Sequence, residues 1–295
     1  MTGGPIFLIC VGATKAGTSW LYDHLAGHPD CHLRTVKELH WFDPPESGLG
    51  RLQVRTNAAE IARLTGRLAG VSAAQAAHVR RRMADMQAWN AVFARGPDDH
   101  EAYRSYLTDG LGDRRVVADV TPSYALLPEA GLQRLTGIAA DVRIVYLMRD
   151  PVARLWSHMR MLAAREVKPG QDIAALAVAR MDRALAGDDL YCGGRGDYRA
   201  CLDRLHAVVA PDRLLAMFTE HLMTPDGVAR LWNYLDIGPG PAALDQRVFE
   251  GVALPLPATL RARARIALRA QYDHVAAAFP TLPEAWSANM IGRAA

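Results

Sequence analysis

Lys15, Thr18 and Ser19 sit in a short glycine-bearing loop, and Arg149 and Ser157 lie eight residues apart in a later segment. A lysine and two hydroxyls beside unpaired backbone N–H groups can hold a phosphate or sulfate. A guanidinium at a strand end can grip another through two parallel hydrogen bonds. Between them, the run Lys37-Glu38-Leu39-His40-Trp41-Phe42-Asp43 brings a carboxylate and an imidazole together. Apolar neighbours should raise the Glu38 pKa toward the range of a general base. His40 is the alternative base, because its free pKa is already close to neutrality. Plainer readings stand beside each of these: a surface lysine, an Arg149 paired with an acid, and core aromatics flanking a solvated glutamate.

The elements that must position these groups follow from the pattern of apolar residues. Ile6 to Val11 is an unbroken apolar run that suits a central parallel strand covered on both faces. Gly12 frees the turn, and Thr18 to Gly27 reads as the first helix, so the loop residues Lys15, Ala16, Gly17, Thr18, Ser19 and Trp20 meet a helix N-terminus. Further strands are expected at Cys31–Arg34, Arg115–Val120, Val142–Met148 and Arg213–Phe218. Lys37 to Asp43 is placed at a strand end, where extended backbone would point Glu38 and His40 one way and Lys37 the other. Positions 46–97 change character and read as two or three amphipathic helices inserted between sheet elements. The run Arg80-Arg81-Arg82 within them reads as a solvated helix face. Pro151 opens a helix to about Ala164, and Gln171 to Leu185 and Tyr198 to Val209 are helical. Gly193 to Gly196 reads as a flexible loop, 238–257 as a proline-rich connection and Thr259 to Phe279 as one long basic helix, with Trp286 in a short tail. Alternating strands and helices predict one α/β domain over 1–295, a central parallel sheet flanked by helices with a helical insertion.

Composition bounds the function. The 295 residues are 50% hydrophobic and 22% charged, as in ordinary globular proteins. A net charge of +3 is too small for a general nucleic-acid binder, while a local basic pocket remains open. The N-terminal stretch lacks a basic leader, and no apolar run reaches the ~20 residues of a membrane span, so a cytoplasmic chain is expected. The four cysteines form no CxxC pair, and Cys10 reads as a buried thiol. His28, Cys31 and His32 lie close together, but no second cluster follows, so no metal site is predicted.

The loop is not a Walker A sequence, because Lys15 precedes the second glycine. That order, with Arg149-Asp150-Pro151-Val152-Ala153-Arg154-Leu155-Trp156-Ser157, resembles the sulfotransferases that use 3′-phosphoadenosine 5′-phosphosulfate. The loop is similar to their 5′-phosphosulfate motif and the later segment to their 3′-phosphate motif. Lys37 to Asp43, Asp119 to Tyr124, Gly196-Asp197-Tyr198 and Glu220-His221-Leu222 resemble landmarks of the heparan-type, carbohydrate-acting branch. The resemblance implies a nucleotide-kinase-like sulfotransferase fold and transfer of a sulfuryl group from that phosphosulfate co-substrate, without a metal, to a hydroxyl or amine. It favours a carbohydrate or glycolipid acceptor and gives the base role to Glu38. Lys15 would meet the leaving oxygen. Residues 16–19 would hold the 5′-phosphate and Arg149 with Ser157 the 3′-phosphate. The rivals are a nucleotide-dependent kinase and a non-catalytic nucleotide-binding module. The basic loop that covers the co-substrate in many members has no clear counterpart; Gly292-Arg293 and the arginines of 261–269 are the candidates.

Overall fold

The computed structural model describes residues 4–70, 72–241 and 251–292. Strand β1 (Ile6–Gly12) is buried along its whole length, as its unbroken apolar run requires. Helix α1 (Thr18–Ala26) and the short strand β2 (Cys31–Leu33) follow. The insertion holds two helices, α2 (Leu49–Arg67) and α3 (Ala73–Ala94), packed on each other, and α4 (His100–Thr108) leads into β3 (Val116–Val120). Next come α5 (Glu129–Thr136), β4 (Val142–Met148), α6 (Pro151–Glu166), α7 (Ile173–Ala186), α8 (Leu190–Gly194) and α9 (Tyr198–Val208). Strand β5 (Leu214–Phe218) precedes α10 (Thr219–Leu222), α11 (Pro225–Leu235), α12 (Ala258–Ala267), α13 (Arg269–Ala278) and α14 (Glu284–Asn289).

The sheet has five strands in the order β2-β3-β1-β4-β5, and every pairing is parallel. The expected α/β architecture is therefore the observed one. Because β3 and β4 flank β1, the chain reverses its direction of travel across the sheet there. Such a switch point opens a crevice at the carboxyl ends of the strands. All five carboxyl ends lie along one edge, so the loops after β1, β2, β3, β4 and β5 converge. Hydrogen-bonded strands lie about 4.8 Å apart. This brings the loop after β1 beside Arg149, which follows β4, across a sequence separation of more than a hundred residues.

Several local expectations change. Lys37 to Asp43 is not strand: it is an irregular loop in which Glu38 (φ 61°) and His40 (φ 56°) take the left-handed conformation. Gly193 and Gly194 end α8 rather than forming a flexible loop. The single basic helix expected over Thr259–Phe279 breaks at Leu268, whose φ −98° and ψ 7° lie outside the helical well. Trp286 is fully buried, with its ring centroid 4.9 Å from Phe218 and 5.8 Å from both Tyr198 and Tyr272. Arg80, Arg81 and Arg82 are exposed on α3, and Arg82 pairs with Glu60 at 3.2 Å. Positions 242–250 of the proline-rich connection, and Arg293, lie outside the described residues.

All four cysteines are buried and unpaired. His28 and His32 donate to backbone carbonyls, to Gly238 at 3.0 Å and to Asp109 at 2.8 Å, so both rings serve the fold. Among the described residues, no group of three or more His, Cys, Asp or Glu could hold a metal ion. No helix among them is long and apolar enough to cross a membrane.

Candidate functional site

The loop between β1 and α1 is held by bonds that leave its inner face open. Ala13 N–H donates to Leu147 O at 2.7 Å, tying the loop to β4. Thr219, at the end of β5, donates its hydroxyl to Ala16 O (2.7 Å) and Met148 O (3.0 Å). Lys15 (φ 69°) and Gly17 (φ 84°) both take the left-handed conformation. Gly17 is required twice over, since a Cβ there would also meet Thr219 Cγ2 at 2.8 Å. No side chain caps α1, so the first-turn N–H groups have no partner from a cap. Ala16 departs from its expected part: its N–H turns inward to Ala13 O at 3.1 Å and its side chain is buried. The tight turn that presents Lys15 consumes that donor.

Burial, followed by the charges of Arg149, Arg160, Arg165 and Lys37, lowers the Lys15 pKa. A half-buried ammonium ringed by like charges gains most from an arriving anion. Arg149 has its backbone fixed by Tyr198, whose hydroxyl donates to Arg149 O at 2.6 Å and accepts from Arg149 N–H at 3.2 Å. Among the described residues no carboxylate pairs with its guanidinium. Asp150, next in the chain, is fully engaged. It caps α6 through Ala153 N–H (2.8 Å) and accepts from Tyr272 OH (2.6 Å) and Asn289 Nδ2 (3.1 Å). Ser157 lies about two turns further along α6.

The loop after β2 brings the third group. Glu38 has a side chain 43% exposed, whereas Leu39, Trp41 and Phe42 turn into the core. The apolar surroundings expected for Glu38 are thus absent, because the left-handed turns at Glu38 and His40 separate the polar from the apolar side chains. Lys37 does not face away: its ammonium, its pKa lowered by burial, donates to Ser19 Oγ at 2.5 Å. His40 Nδ1 is 2.6 Å from Asp43 Oδ2, and Ser123 donates to the same oxygen at 2.6 Å. A carboxylate at Nδ1 holds the imidazole proton there and aims Nε2 outward. His40 Nε2 stands 3.8 Å from Glu38 Oε2.

These groups line one cavity of about 1920 Å³: Lys15, Gly17, Thr18, Ser19, Trp20, Glu38, His40, Arg149 and Ser157 all face it. Ala16 alone of the predicted site residues does not. The cavity also takes cations that sequence reasoning did not assign, Arg160 and Arg165 from α6 and Arg195 after α8. Arg261 and Arg265, two of the arginines of 261–269 named as covering candidates, reach it from α12. Lys37, Asp43, Ser123 and Thr219 were also missed as site residues. Lys37, Asp43 and Ser123 fall in segments marked only by resemblance, and the signal for Thr219 was its position directly after β5 of a parallel sheet. His158 lines the cavity as well, but burial and the neighbouring Arg154 and Arg195 push its pKa down to about 3, so it stays neutral.

A family model described as "Sulfotransferase family" matches residues 5–192. No curated protein matches the chain in sequence. Among solved structures, a sulfotransferase from Alicyclobacillus acidocaldarius superposes with a TM-score of 0.63 at 18% identity, covering 96% of this chain and 98% of its own. The sulfotransferase domain of the Synechococcus PCC 7002 olefin synthase covers 95% of this chain and 96% of its own, with a TM-score of 0.51 and 18% identity. At such identities the likeness establishes the fold.

Proposed function

This chain belongs to the sulfotransferase family, and from that premise we propose that it moves a sulfuryl group from 3′-phosphoadenosine 5′-phosphosulfate to an acceptor hydroxyl or amine. The observation that carries the reading is the meeting of Lys15 and Arg149, from two separate strand ends, in one cavity. The donor set fits a carrier charged at both ends. Gly17 leaves room for close approach, the start of α1 offers uncapped N–H groups, and no carboxylate among the described residues pairs with the Arg149 guanidinium. Bound there, the carrier would supply an activated sulfuryl group.

The chain's own residues take the following roles. Thr18, Ser19 and the N–H groups from Gly17 onward hold the 5′-phosphate. Arg149 and Ser157 hold the 3′-phosphate and set the register of the carrier. Lys15 neutralises charge developing on the leaving oxygen, as positioning and electrostatics do in phosphoryl transfer. Lys37 holds Ser19 in place and adds a second positive charge. Glu38, facing the cavity, takes the acceptor proton. The buried Asp43 orients His40, which stands beside Glu38 and is the alternative base. The segment Lys37 to Asp43 keeps its resemblance to the carbohydrate-acting branch, and a carbohydrate or glycolipid is the acceptor it suggests.

Calorimetry with adenosine 3′,5′-bisphosphate against ATP–Mg²⁺ tests this reading. Tight binding of the bisphosphate and weak binding of ATP–Mg²⁺ are expected, together with transfer of labelled sulfuryl to an acceptor. The opposite preference would return the chain to a kinase-like role. Bisphosphate binding without transfer to any acceptor would leave a nucleotide-binding module.

A further inference from the structure

The helical insertion reaches the cavity through one face of α2. Leu49, Leu52, Gln53 and Thr56 line it, at the i, i+3, i+4, i+7 spacing of a single helix stripe. From Leu49 to Thr56 this stripe runs about 10 Å along the helix axis. It begins beside the chemistry. A Cβ at Gly50 would meet His40 O at 3.4 Å and the Phe93 ring at 2.4 Å, so α2 packs directly against the His40 backbone and α3. Leu52 is 51% exposed, more than any other large hydrophobic among the described residues except Ile266.

The charge of the cavity is divided. Its cations come from the loop after β1, from Lys37, from Arg149 and α6, from Arg195 and from α12. The stripe on α2 carries none, and the helix's own Arg51 and Arg55 are not among the lining residues. An anionic acceptor would require cations along the wall it touches, because a charge desolvated without a partner is strongly disfavoured. An uncharged apolar body loses nothing there and covers Leu49 and Leu52.

We infer that α2 is the acceptor wall, and that it takes an uncharged alcohol or amine carried on an apolar body, such as an alkyl chain, rather than an anionic sugar. This rests on the sulfuryl-transfer reading. Leu49 and Leu52 hold the body, Gln53 and Thr56 meet its polar substituents, and the acceptor hydroxyl points to Glu38. Of the carbohydrate or glycolipid acceptors that the resemblance suggests, an uncharged glycolipid is the one this wall fits.

The test assays sulfuryl transfer from 3′-phosphoadenosine 5′-phosphosulfate to butanol, octanol, glucose and glucose 6-phosphate. It compares wild type with Leu52→Asp and Thr56→Lys. Octanol should exceed butanol and both sugars in kcat/KM by at least about 10-fold, since each buried methylene is worth a comparable factor. Leu52→Asp should lower kcat/KM for octanol by about 10-fold or more, through KM, with the Kd for adenosine 3′,5′-bisphosphate unchanged. Thr56→Lys should raise transfer to glucose 6-phosphate. A wild-type preference for either sugar, or an octanol KM unmoved by Leu52→Asp, overturns the assignment. So does nucleotide binding without transfer to octanol. Failure of the wild type to bind adenosine 3′,5′-bisphosphate would instead sink the sulfuryl-transfer reading beneath it.

Discussion

On the proposed reading Lys15 and Arg149 divide the work of one anion site, and their variants should separate. Lys15→Ala should lower kcat by about 100-fold or more, the usual cost of losing one donor to a developing negative charge. The melting temperature should not fall, and should rise at neutral pH, because a lysine whose pKa burial depresses costs stability in its charged form. The sign follows from linkage. The unfolded chain binds the Lys15 proton more tightly than the folded one, so stability rises with pH between the lowered pKa and the ordinary lysine value. An arriving anion reverses that penalty. Calorimetric titration of adenosine 3′,5′-bisphosphate in two alkaline buffers of different ionisation enthalpy should therefore show net proton uptake. Arg149→Ala should weaken that nucleotide by about 10-fold or more, the scale of losing charge-assisted hydrogen bonds. Unchanged affinity would remove Arg149 from the 3′-phosphate. Glu38→Gln should lower kcat by about 100-fold or more, and Asp43→Asn by a smaller factor through His40 alone. Near-normal turnover in Glu38→Gln beside an inactive His40→Ala would transfer the base role to His40.

The loop at 34–43 is where an element's placement matters most. Its outer side is held by α3. Asp85 accepts from Thr35 N–H (2.5 Å) and the Thr35 hydroxyl (2.6 Å) and pairs with Arg34 at 2.6 Å. Further along α3, Trp89 meets Trp41 edge-on at 5.8 Å. With α2 lining the cavity, the insertion both backs the Glu38–His40 loop and forms a wall of the site. Asp85→Ala should cost about 1–3 kcal/mol of stability, because Thr35 loses its acceptor and the part-buried Arg34 one of its two carboxylates. It should also depress kcat more than nucleotide affinity, which differential scanning calorimetry and steady-state kinetics would resolve. Equal losses in kcat and nucleotide binding would mean that α3 supports the whole cavity rather than this loop.

At the scale of the molecule, the order β2-β3-β1-β4-β5 accounts for the site, because parallel strands deliver every loop to one edge. The ends of β1, β3, β4 and β5 supply the anchoring groups, and the loop after β2 supplies the carboxylate and imidazole. The strands were legible because burial on both faces demands apolar runs: Ile6–Val11 is unbroken, and Val142–Met148 is interrupted only by Arg143. The residues proposed to hold the anion were legible because phosphate holding needs lysine, glycine, hydroxyl and arginine at fixed local spacing. Local sequence therefore determined the parallel α/β class and the helical character of 46–97, and all but one of the site residues it named face the cavity. The left-handed turns at Glu38 and His40, the buried Asp43–Ser123 support, the inward turn of Ala16 and the α2 wall were decided by tertiary structure. Each depends on contacts between residues far apart in the chain, whose energies no local pattern of side chains records.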